Sequence, residues 1–119
     1  MKLFLTLAIA ALLCGCNTPL LTTVYRTSAT THVSARTALT AWNDYLGTHR
    51  VSAAQEREVK GAWEKYQAAQ IALLDVTAVY AAATNPSATD QETLELATAE
   101  ASRSLADLVA LIRKFGVKV

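Results

Sequence analysis

Cysteine is confined to the start of this chain: only Cys14 and Cys16 occur, so no disulfide framework can brace the body that follows. A surplus of charge is missing as well. Lys and Arg number 11 and Asp and Glu 10, and once Lys2 leaves with the leader described below the two signs balance. Phosphates call for a basic face, so the composition makes no electrostatic case for nucleic acid as a partner. Beyond the leader, glycine stands only at Gly47, Gly61 and Gly116, too sparse for a phosphate-cradling loop. His32 and His49 are the only histidines, neither with a second one a helical turn away, and there is no HExxH pattern, so no metal is expected. A strained GxSxG turn is absent, and beyond Cys16 there is no cysteine to serve as a nucleophile. Glu56, Glu58 and Glu64 interleave with Arg57, Lys60 and Lys65, which reads as a solvated, ion-paired helix face rather than a catalytic carboxylate pair. The expectation is a protein that is not an enzyme and has no cofactor and no small-molecule substrate.

What is present begins with a leader. Lys2 supplies a positive start, and Leu3 to Leu13 form an apolar run that ends in small residues, the pattern of a signal peptide. The run breaks at Asn17, Thr18 and Pro19. That is short of the roughly 20 apolar residues a membrane span needs. The sequence Leu13-Cys14-Gly15-Cys16 resembles the lipobox of bacterial lipoproteins: an aliphatic residue three before the cysteine and a small one just before it. The resemblance covers the leader alone. It implies a signal peptide over 1–15, cleavage before Cys16, and a lipid-anchored domain over 16–119. It further implies diacylglycerol on the Cys16 sulfur and, commonly, another acyl chain on its amino group. Two or three such chains hold a protein stably at a membrane where one binds reversibly. Asn17 stands where aspartate resembles an inner-membrane retention signal, so the expected location in a Gram-negative host is the outer membrane, facing the periplasm.

With 119 residues the chain has room for one domain. Turn signals at Leu46-Gly47-Thr48-His49-Arg50 and Thr84-Asn85-Pro86-Ser87-Ala88 divide the body into segments of about 19–47, 52–84 and 89–115. Ser52 three before Gln55, and Thr89 three before Glu92, have the spacing of capping boxes, and Gly116 falls where a helix would stop. Apolar residues recur at steps of three and four. The first segment has Leu21, Tyr25, Ser28, His32, Ala35, Leu39, Trp42 and Leu46. The second has Val59, Ala62, Tyr66, Ala69, Leu73, Val76 and Tyr80, and the third runs from Leu94 to Phe115. Short turns make successive helices antiparallel neighbours, so the expected fold is all-α, an antiparallel up-down-up three-helix bundle. Pairing across the turns stacks Trp42, Val59 and Phe115 at one end and Leu21, Tyr80 and Leu94 at the other, with His32, Ala69 and Leu105 as the weak layer. His32 is placed to share a hydrogen bond with Gln70, and Trp63 and Tyr45 fall on the flanks.

Opposite the buried positions Leu73 and Val76, the second helix carries Ile71, Leu74 and Ala78, which a lone bundle would leave in water. This face is the expected contact, either with a protein partner or with a second copy as a homo-oligomer. The functional expectation is a non-enzymatic small lipoprotein of the bacterial envelope that works by protein contact. The alternative is a lipoprotein of phage or prophage origin acting in host lysis or superinfection exclusion, similar in size and composition to short Ala- and Thr-rich helical phage proteins.

Overall fold

The computed structural model describes residues 17–119. Among these residues the chain forms three helices and no strand: α1 (Asn17–Thr48), α2 (Ala53–Ala82) and α3 (Ala88–Lys114). They make the antiparallel three-helix bundle that the turns predict. The leader, the lipobox and Cys16 lie outside the described residues.

The helix ends follow from local chemistry. At the start of α2, the Gln55 N–H donates to Ser52 Oγ at 3.1 Å and the Ser52 N–H donates to Gln55 Oε1 at 3.2 Å, a reciprocal capping box. The start of α3 corrects an expectation, because the cap is Ser87 with Asp90 rather than Thr89 with Glu92. The Asp90 N–H donates to Ser87 Oγ at 3.1 Å, and the Ser87 N–H donates to Asp90 Oδ2 at 2.9 Å. Aspartate closes the box as glutamate would, and its charge faces the positive end of the helix dipole. The far end of α3 closes on Gly116, whose φ of +100° lies where a side chain would strain the backbone. Its N–H donates to the Arg113 carbonyl and the Val117 N–H to the Ile112 carbonyl, a Schellman motif that brings buried Val117 and Ile112 into one apolar cluster.

The core has two parts. Near the α1–α2 turn, Ala38, Trp42, Val59, Leu108, Ile112 and Val117 pack together, with Leu39, Ala62, Leu111 and Phe115 around them. Toward Asn17, a second cluster holds Val24, Ala69, Leu73, Tyr80, Leu94 and Ala101, with Leu21, Val76 and Ala97 at its edge. Between them lie small or polar buried residues, Thr31, Ala35 and Ser104.

α2 and α3 form the most closely packed pair, α1 rests on α3, and α1 touches α2 least. The buried stripe of α1 keeps Ala35 and Trp42 of the expected one but is turned by about half a residue step. Val24, Thr31 and Ala38 are buried, whereas Tyr25 and His32, expected inside, are exposed. Hydrogen bonding explains the choice. Burying an imidazole ring or a phenol demands partners, while the Thr31 hydroxyl donates to the Thr27 carbonyl one turn back at 2.6 Å and enters the core already satisfied. Thr77, buried on α2, does the same with the Leu73 carbonyl at 2.6 Å.

Candidate interaction surface

The face singled out on α2 stands in solvent: Ile71 is 60% exposed, Leu74 53%, and Ala78 is exposed beside them. These positions recur at steps of three and four, so they form one stripe along the helix. The open seam toward α1 adds to it. Gln70 Nε2 donates to Ser28 Oγ at 2.6 Å, and this bond sets the register of the two antiparallel helices. One turn from Ser28 toward Asn17 stands Tyr25, 53% exposed, and one turn beyond Gln70 stands Leu74. Tyr25, Ile71, Leu74 and Ala78 therefore belong to one apolar strip that runs along the α1–α2 seam.

At mid-height the strip opens into a cleft of about 170 Å³ lined by His32, Trp63, Tyr66, Gln67, Gln70 and Ile71. None of these is a carboxylate, a lysine or an arginine. Tyr66 and Trp63 contact each other with ring centroids 5.5 Å apart. Tyr66 Oη and Gln70 Oε1 are buried and have no hydrogen-bond partner among the described residues. Burial pushes the Tyr66 hydroxyl above the ordinary tyrosine range, because the phenolate is penalised more than the phenol. His32 borders the cleft but does not bond Gln70, whose amide is engaged by Ser28 instead.

Other residues of interest fall elsewhere. His49 stacks on Tyr45 with ring centroids 3.9 Å apart, at the end of α1. Trp63 and Tyr45 are half-buried flank residues that pack on the cluster near the α1–α2 turn. Glu56, Glu58 and Glu64 are exposed on α2. Glu58 joins Arg57, Lys65 and Asp107 around a shallow recess of about 380 Å³ between α2 and α3, where two cations and two carboxylates offset each other. Among the described residues, no three His, Cys, Asp or Glu side chains are grouped so as to hold a metal ion, and no helix is long and apolar enough to cross a membrane. Sequence reasoning missed Tyr25 as part of the strip. Its signal was the hydroxyl, which in a bundle core would have needed a partner that neighbouring Val24 does not. No family model, curated protein or solved structure matches the chain.

Proposed function

We propose that this protein is a small, non-enzymatic lipoprotein of the bacterial envelope, held to the membrane by lipid on Cys16 and acting through protein contact. The observation that carries the reading is the leader ending in Leu13-Cys14-Gly15-Cys16 directly before α1, which begins at Asn17. With so little chain between lipid and helix, the bundle sits at the headgroups. The exposed strip of Tyr25, Ile71, Leu74 and Ala78 then lies on its membrane-proximal and middle part, where neighbours in the same bilayer can reach it. Several acyl chains at about 0.8 kcal/mol per buried CH₂ make such anchoring stable.

Feeding cells labelled palmitate tests the anchor. The wild-type protein should take up label and run as a processed form. Cys16→Ala should lose the label and remain an unprocessed precursor, since acylation and the cleavage that follows both need that thiol. Label persisting on Cys16→Ala would refute the lipoprotein reading.

A further inference from the structure

The outer surface of α1 and α2 changes character at mid-length. From Asn17 to Ala35 the only Lys, Arg, Asp or Glu is Arg26, and from Tyr66 to Thr89 the only one is Asp75. Both are exposed. On α2, Asp75 stands one turn from Ile71 and Ala78, at the edge of the strip away from α1, where it also lines a recess with Val79 and Asp90. On α1, Arg26 lies about 100° around the helix from Tyr25, on the edge away from α2. Arg26 lies two residues from Ser28 toward the Asn17 end. Asp75 lies five residues past Gln70 in the same direction, because α2 runs the opposite way. Taking the Ser28–Gln70 bond as one level, a rise of about 1.5 Å per residue puts the two charges only about 4.5 Å apart in height. An arginine side chain spans that offset. Within one protomer the two sit on different ridges and form no ion pair; the ion pair among the described residues joins Glu100 and Arg103.

We infer that this strip is the contact between two copies of the chain, related by a two-fold axis along the bundle, with α1 of each copy lying against α2 of the other. Such an axis keeps every residue at its own height. Arg26 of each copy then meets Asp75 of the other at the rim, twice over, while Tyr25, Ile71, Leu74 and Ala78 fill the middle. The argument for a second copy is charge complementarity: the one cation of this stretch of α1 and the one anion of this stretch of α2, at nearly one height on opposite edges of the strip, make the surface complementary to itself. An antiparallel pairing, about an axis crossing the strip, would set α1 against α1 and α2 against α2, and so would bring Arg26 toward Arg26 and Asp75 toward Asp75 instead of toward each other. The parallel sense suits two chains held in one leaflet, and only in that respect does the inference rest on the proposed anchor.

The test uses full-length protein in mild detergent, with self-association followed by sedimentation and by crosslinking in isolated membranes. Wild type should dimerise. Arg26→Glu alone, which sets a carboxylate against Asp75, and Asp75→Lys alone should each weaken the dimer about tenfold, and the two together should restore it to within about twofold. Leu96→Ser, at an exposed apolar position on α3 away from the strip, should leave it unchanged. A monomeric wild type, a double variant no tighter than the singles, or loss of the dimer in Leu96→Ser would overturn the inference. Sedimentation in detergent requires no lipid on Cys16, so this outcome is separable from the palmitate result.

Discussion

The end of the bundle that carries the α1–α2 turn and the C-terminus differs from the end that carries Asn17 in what it buries and in what it shows. Its core holds Trp42 with Phe115 at 5.9 Å and Tyr45 at 6.0 Å, and Val117 is folded back onto it by the Gly116 turn. Its surface is charged, from Arg57 and Lys60 on α2 to Arg113 and Lys114 at the end of α3. The Asn17 end has a leaner core, with Ala69 and Ala101 among its members, and an α1–α2 surface almost free of charge. Tyr25, Ile71, Leu74, Val79 and Leu96 are all exposed there. Aromatic burial gives the first end the larger share of transfer free energy and makes it self-sufficient in water. The second end keeps apolar area outside, which becomes favourable once another surface covers it. Buried aromatic area and exposed apolar area thus fall at opposite ends of one bundle.

The sharpest challenge to that division is Leu108→Ala. Leu108 is fully buried in the aromatic-rich cluster, and truncating it should cost about 2–5 kcal/mol in urea unfolding through lost transfer energy and the cavity left behind. A cost near zero would mean that the cluster is not the seat of stability.

A smaller effect of opposite sign is expected at the boundary between the ends. Tyr66→Phe removes a buried hydroxyl that has no partner among the described residues, so the variant should be more stable by about 1 kcal/mol. The same hydroxyl predicts a pH dependence. Its folded-state pKa is raised, so its contribution is complete below the unfolded tyrosine value of about 10 and is lost as pH rises beyond it, where the unfolded chain releases the proton first. Unfolding midpoints followed from pH 9 upward should therefore fall more steeply in wild type than in Tyr66→Phe. Equal slopes would show that the hydroxyl is solvated.

The least effect on stability is expected from Ile71→Glu combined with Leu74→Lys. Both positions are exposed, and the new charges sit three residues apart on one helix face, so unfolding should shift by no more than about 0.5 kcal/mol. Association should nonetheless be lost. A large loss of helicity on circular dichroism would instead place this face in the fold.

Most of the secondary structure was legible because its causes are local. Ser52 and Gln55 satisfy each other's amides without help from any other helix, Gly116 alone tolerates a φ of +100°, and Asn85-Pro86 interrupts any helix that reaches it. The Ser87–Asp90 cap is equally local, with aspartate closing the box in place of the commoner glutamate, and it starts α3 ahead of the Thr89–Glu92 spacing. The stripes of α2 and α3 were legible too, since Leu73, Tyr80, Leu94 and Leu108 are large apolar residues with one sensible side to face.

By itself, then, the sequence determined three helices, their ends except the start of α3, their antiparallel order and the exposed positions Ile71, Leu74 and Ala78. Only the tertiary structure decided which side of α1 turns inward. In a helix so rich in Thr and Ser, the stripes through Val24 and Thr31 or through Tyr25 and His32 are nearly equivalent in periodicity. What separates them is whether each hydroxyl or ring finds a partner once buried, and whether Ala35 and Ala38 admit α3. The choice of α3 over α2 as the support for α1 follows from that rotation. It leaves the α1–α2 seam open and joins Tyr25 to the strip, because the side of a helix that is not used for packing against its neighbours remains available to a partner.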